Sequence, residues 1–307
     1  MSLYALFTGP GPSGFGYSST ADDVTEGLDL TGKTYLITGC NSGLGLEAMR
    51  VLGRRGAHVI AAARSRDKAE VALAGVSSAG TPVACDLSDP GSVRACIEAV
   101  RGLDIPLDGI IANAGIMALP QLERRNGVEL QFFTNHVGHF MLVTGLLRIL
   151  TDTGRVVILS SAAHKGAPPG GIEFDNLSGE KGYRPWRAYG QSKLANLLFA
   201  KHLATRMPRP GQTANSLHPG VIATKLVRHM NPVVGAAYGL MGWIALKTIP
   251  EGAATEVYLA THPGVAEING AYFADCNQIS PSKYGQDAAL AQRLWEKTEE
   301  IVAALPS

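Results

Sequence analysis

Tyr189 and Lys193 stand four residues apart in the run Tyr189-Gly190-Gln191-Ser192-Lys193, and on a helix that spacing puts both side chains on one face. A phenol titrates at about 10, so proton exchange near neutrality needs a downward shift of about 3 units, or about 4 kcal/mol. A cation about 4–5 Å away, at an effective dielectric of about 20, contributes about 3–4 kcal/mol. One lysine is therefore about enough to make the tyrosine an acid and base. A hydroxyl able to hold a reacting oxygen ends the apolar run Arg155-Val156-Val157-Ile158-Leu159-Ser160-Ser161. Side chains alternate along a strand, so only one of Ser160 and Ser161 faces the crevice beyond it.

A second cluster suits a phosphate. Thr38-Gly39-Cys40-Asn41-Ser42-Gly43-Leu44-Gly45 follows one β-branched run and leads directly into Leu46-Glu47-Ala48-Met49. Small residues where a strand turns into a helix let a pyrophosphate approach the backbone N–H groups at the positive helix end. The next apolar run, His58–Ala63, closes with Ala63 and then Arg64. An NAD site places a carboxylate near here for the ribose 2′-hydroxyl, whereas an arginine accommodates the 2′-phosphate of NADP. The carboxylate is missing and a guanidinium is supplied, which favours NADP(H). The structural alternative is that Arg64, like Arg66 and Lys68, solvates a strand end.

Positioning these groups falls to a regular alternation. Apolar runs at Thr34–Thr38, His58–Ala63, Pro82–Cys85, Gly109–Ala112, Arg155–Ser160, Thr213–Leu217 and Ala271–Phe273 read as strands. Between and after them, helical patterns cover 43–55, 67–74, 90–101, 127–150, 187–206, 251–261 and 287–303. Such alternation requires parallel strands with right-handed crossovers. The expected fold is α/β, a single-domain Rossmann fold with a doubly wound seven-stranded parallel sheet and helices on both faces. Residues 1–29 read as a Gly- and Pro-rich N-terminal arm, free to pack on the domain or swap to a neighbour, and 30–307 as the domain.

The glycine spacing TGxxxGxG, the YxxxK pair and the serine at a strand end together resemble the short-chain dehydrogenase/reductase family, over about 30–280. The resemblance implies further roles. Ser161 matches the family's catalytic serine, and Asn135, in Phe133-Thr134-Asn135-His136, matches the helix asparagine that holds a water linking lysine to solvent. Asp86, in Cys85-Asp86-Leu87, stands where the family contacts adenine, although it could equally cap the helix beginning near Asp89-Pro90. Asn113-Ala114-Gly115 matches the motif that supports the sheet and lines the cofactor. His218-Pro219-Gly220, with Val221 and Thr224, resembles the motif at the nicotinamide carboxamide and pyrophosphate, and proline before glycine is also ordinary turn chemistry. Lys193 is expected on the nicotinamide ribose as well as beside Tyr189.

Composition narrows the remaining classes. A net charge of +1 with no basic run gives no electrostatic reason to expect nucleic acid or an acidic membrane surface. The four cysteines, Cys40, Cys85, Cys96 and Cys276, show no metal-ligand spacing and read as reduced thiols. His136 and His139 have the look of a ligand pair, but no third ligand presents itself, so no metal is expected. No signal peptide or spanning segment is legible, and a cytoplasmic location is expected.

The long insert between Ser161 and Tyr189, His164 through Trp186, resembles the retinol dehydrogenase branch, whose relatives include the light-dependent protochlorophyllide reductases. A substrate lid is expected at about 222–250, rich in apolar residues that include Tyr238 and Trp243. An apolar lid excludes water and suits an apolar aldehyde, ketone or alcohol. The same residues would serve equally well as an ordinary buried helix pair. The expected activity is NADP(H)-dependent hydride transfer; a catalytically idle NADP-binding sensor and a light-dependent pigment reductase are the alternatives. The resemblance also suggests a possible homodimer through helices 127–150 and 187–206, faces that could be covered otherwise.

Overall fold

The computed structural model describes residues 8–76, 79–222 and 247–306. Within them β1 (Thr34–Thr38), β2 (His58–Ala63), β3 (Gly80–Ala84), β4 (Leu107–Ala112), β5 (Leu150–Leu159), β6 (Thr213–His218), β7 (Tyr272–Ala274) and β8 (Asn277–Gln278) form one sheet. Its order is β8-β7-β6-β5-β4-β1-β2-β3. The seven expected strands are parallel, and the short β8 adds an antiparallel edge to β7. The order reverses at β1, which lies between β2 and β4, and ligands of open α/β sheets sit beyond the strand C-termini at such a switch.

Alternation within the apolar strands feeds two cores. Leu36, Ile60, Ile110, Val156 and Ile158 face one side, while Tyr35, Ile37, Val59, Ile111 and Val157 face the other. The first side is covered by α3 (Pro90–Arg101), α4 (Gly138–Leu146), α5 (Pro185–Leu203) and α7 (Ala288–Ala303). The second is covered by α1 (Gly43–Arg54), α2 (Arg66–Val76) and α6 (Ile249–Thr261). All four cysteines are buried and free.

Two local expectations are corrected. The helix expected over 127–150 is broken at both ends, because Asn126 and Gly127 take φ of 49° and 77° and turn a small hairpin pairing Arg125 with Val128. At its other end Leu150 already belongs to β5, which therefore begins before Arg155. Ahead of α4, residues Phe133–Val137 form a π-turn that carries Asn135, a distortion often found at functional sites.

The arm packs on its own domain. Phe15 meets Tyr258 and His262 edge-on, at 5.6 and 5.5 Å between ring centroids, and Ala21 N donates to Pro250 O. α7 lies across α5, with Trp295 against Phe140 and Phe199 at 4.8 and 5.8 Å. Every residue of α5 from Tyr189 to Ala200 is buried within this one chain. The helix faces suggested for a homodimer are thus covered by α7 to this extent. Of the expected lid, only Ile222 and 247–250 fall among the described residues; Thr224, Tyr238 and Trp243 lie outside them.

Candidate active site

β5 and α5 bring Tyr189, Lys193 and the end of the Ser160-Ser161 run together. Lys193 Nζ lies 5.8 Å from the centre of the Tyr189 ring, on the shared face expected from their spacing. It donates to Leu159 O at 3.1 Å. Burial lowers the amine from its ordinary value to about 8, since the charged form gives up water that one carbonyl only partly replaces. The serine ambiguity resolves by hydrogen bonding. Ser160 is buried and donates to Lys193 O at 2.6 Å, which leaves Ser161, half-buried, at the open strand end. Ser161 Oγ accepts from Ala163 N at 3.2 Å.

Asn135 is fully buried and ties three elements together. Its Oδ1 accepts from Ile116 N at 2.8 Å, and its Nδ2 donates to Ile116 O and Ser192 Oγ, each at 2.9 Å. A Cβ placed on Gly115 would stand 3.1 Å from Asn135 Oδ1 and 3.5 Å from Lys193 Nζ, so all three border one small space.

The glycine loop has the geometry of an anion cradle. Asp89, Thr248 and Asp287 cap α3, α6 and α7 with their side chains, whereas Ser42 makes no such bond at α1. The first-turn amides of α1 are thereby left to an anion. Gly43 has φ of 58° and open space where a side chain would project. Gly45 admits no Cβ, which would stand 2.5 Å from Asn113 Nδ2. Gly39, with φ of 70°, turns the chain against Ala114, and Asn41 and Ser42 are exposed, with Leu44 half-buried behind them. A dinucleotide's phosphates fit this cradle.

A buried relay joins cradle and asparagine. Asn113 N and Ala114 N both donate to Thr38 Oγ1 at 3.0 Å, so the Thr38 hydroxyl must donate to His139 Nε2 at 2.9 Å. His139 Nδ1 then donates to Asn135 O at 2.9 Å. Burial pushes this imidazole down to about 4, so it is neutral in this tautomer. His136 instead donates to Thr298 Oγ1, whose own hydroxyl is given to Leu294 O. The two histidines serve separate core contacts, and no group of three metal-ligating side chains occurs among the described residues.

Asp86 does not cap α3. Its Oδ1 accepts from Ser88 N and Ser88 Oγ at 2.9 and 2.7 Å, while Asp89 caps the helix through Gly91 N. Leu87 is buried beside it. Arg64 is exposed just past β2, in no ion pair among the described residues, whereas Arg66 is held by Glu70 at 2.8 Å. Pro219, Gly220 and Val221 form the loop beyond β6.

Residues 33–235 match a family model described as short chain dehydrogenase. The chain belongs to the short-chain dehydrogenase family. It is 43% identical over its whole length to the whole of a chloroplastic short-chain dehydrogenase, TIC 32 A, of Brassica napus. Over 90% of its length it is 38% identical to 88% of retinol dehydrogenase 14 of Homo sapiens, placing it in a retinol dehydrogenase-like branch. Among solved structures, a putative uncharacterized protein from Mycobacterium paratuberculosis superposes with a TM-score of 0.75 at 33% identity, covering 91% of this chain and 97% of that one.

This short-chain dehydrogenase has a further buried cation that sequence reasoning missed, outside the family match. Lys247 pairs with Asp275 at 2.5 Å and lies 4.8 Å from the centre of the Tyr17 ring of the arm. Its backbone N–H donates to Val221 O at 2.9 Å. Its stem packs so closely on Gly220 that a Cβ there would stand 2.7 Å from Lys247 Cδ. The neighbouring His218 accepts from Ala162 N at 3.1 Å, so this loop is braced against both the arm and the Ser161 segment. The nearest signal in the sequence was a lone lysine at the end of an apolar stretch, which carries no direction by itself.

Proposed function

We propose that the chain is an NADP(H)-dependent oxidoreductase that interconverts an apolar aldehyde or ketone and the matching alcohol, with Asn135, Ser161, Tyr189 and Lys193 as its working residues. The observation that carries this reading is the buried Lys193 amine on the same helix face as Tyr189, above the strand end that bears Ser161. When bound, the nicotinamide supplies or accepts a hydride at its C4. Tyr189 gives its phenolic proton to the carbonyl oxygen in reduction and takes it back in oxidation. Lys193 holds positive charge beside the phenol and binds the nicotinamide ribose, and Ser161 donates a hydrogen bond to the substrate oxygen. Asn135 fixes the loop after β4 and keeps the proton path to Lys193 in place.

In the same reading the first-turn amides of α1 with Gly39, Asn41, Ser42, Gly43, Leu44 and Gly45 hold the pyrophosphate. Asp86, Leu87, Asn113, Ala114 and Gly115 line the adenosine half and the cofactor floor. Pro219, Gly220, Val221 and Thr224 lie toward the nicotinamide end. Arg64 grips the 2′-phosphate, because an exposed guanidinium with no carboxylate partner among the described residues is available for bidentate binding.

The test is a panel of apolar aldehydes and ketones run in the dark with NADPH and NADH side by side, for the wild type and Arg64→Ala. Turnover with NADPH preferred, and a preference reduced at least tenfold in Arg64→Ala, is the expected result. Cofactor binding without any turnover would favour a sensor, and turnover only under illumination a pigment reductase.

A further inference from the structure

Trp186 is a large apolar side chain left 48% exposed, although it stands one turn from Tyr189 on the first turn of α5. The two rings meet edge to face, with centroids 6.2 Å apart and planes at 82°. The backbone beneath it is held firmly. Gln131 Nε2 donates to Pro185 O at 3.3 Å, and Arg187 pairs with Glu173 at 2.5 Å. Gln131 also accepts from Ala118 N at 2.6 Å, which fixes the loop after β4 to the same helix start. The indole thus stands on a held backbone against the Tyr189 ring, with nearly half of its surface exposed.

Of the five large apolar side chains exposed among the described residues, Trp186 is the one on the helix that carries Tyr189 and Lys193. A single exposed apolar residue is ordinary on a protein surface, but one in ring contact with a reactive phenol borders the space where a substrate must lie.

We propose that Trp186 is a specificity-determining residue, the platform on which the flat ring of an aryl carbonyl substrate rests while its oxygen reaches Tyr189. An aromatic face rewards a flat π-system over a short aliphatic chain of the same reactivity, through area and preferred ring geometry. The proposal rests on the oxidoreductase reading above and adds which carbonyl compounds the site prefers.

The experiment compares an aryl aldehyde with a short aliphatic aldehyde in the wild type, Trp186→Ala and Trp186→Phe, with NADPH affinity measured separately by fluorescence. Trp186→Ala is expected to raise KM for the aryl aldehyde at least tenfold, with kcat for both aldehydes, KM for the aliphatic one and NADPH affinity all within twofold of the wild type. Trp186→Phe should recover most of the loss. Equal KM changes for both aldehydes, or none, in variants that still bind NADPH would overturn the proposal and leave the oxidoreductase reading intact. A wild type that reduces neither these aldehydes nor any other carbonyl compound would overturn both.

Discussion

In the proposed function, Lys193 acts through the cost of burying its charge. A buried amine with one carbonyl partner loses its proton more readily than an exposed one, and burial brings it from the ordinary lysine value to about 8. Below that value the cation is present beside Tyr189; above it the charge is lost. Reduction should therefore fall as pH rises through about 8, more than 2 units before an ordinary lysine would titrate. A kcat/KM profile with NADPH checks this, and a rate that stays flat to pH 10 would contradict it. The Tyr189 and Lys193 pairing was legible from spacing alone, since helix geometry dictates which residues share a face. The choice between Ser160 and Ser161 was legible only as an alternation, and it took the Ser160 bond to the α5 backbone to decide it. The role of His139 was not legible in the sequence, where His136 and His139 have the look of a ligand pair and no metal is expected for want of a third ligand. Burial and the Thr38 hydroxyl make His139 a neutral link between cradle and asparagine.

At the scale of elements, the strand and helix alternation was readable because the central strands β1, β2 and β4 are buried on both faces and α1, α3 and α7 carry a clear amphipathic period. Boundaries failed where turn chemistry outranked periodicity. Asn126-Gly127 is a strong hairpin signal, yet the apolar residues after it mimic a continuous helix, and the π-turn at Asn135 leaves no periodic trace. Lys247 was illegible because its partners come from three remote segments: Tyr17 in the arm, Gly220 beyond β6 and Asp275 in the turn before β8. Lys247→Met keeps the stem and removes the charge, leaving Asp275 without its cation. Because Asp275 is partly exposed, the loss should be moderate, about 1–2 kcal/mol in a urea titration. A stability within error of wild type would show that the arm and the loop beyond β6 are braced by the stem alone.

For the molecule as a whole, the two-sided sheet determines where chemistry takes place, and the C-terminal helix determines which surfaces remain outside. α7 lays Trp295 on Phe140 and Phe199, and Arg206 stacks over the same indole at 5.2 Å. With α5 buried from Tyr189 to Ala200 inside one chain, the exposed apolar part of that helix is its first turn, with Trp186. Sedimentation at the 32.3 kDa of one chain would rule out the homodimer suggested through these helices, and twice that mass would bear it out. No helix among the described residues is long and apolar enough to cross a membrane.

The proposed function turns on a proton exchanged by Tyr189, and the most direct measurement is NADPH consumption by Tyr189→Phe alongside its NADPH affinity. Removing one hydroxyl from a ring that is otherwise buried preserves packing, so cofactor binding should stay within about twofold while turnover drops by at least about 100-fold, the lower end for a lost general acid. Turnover equal to the wild type in a variant that still binds NADPH would contradict the assignment of Tyr189 as the proton donor.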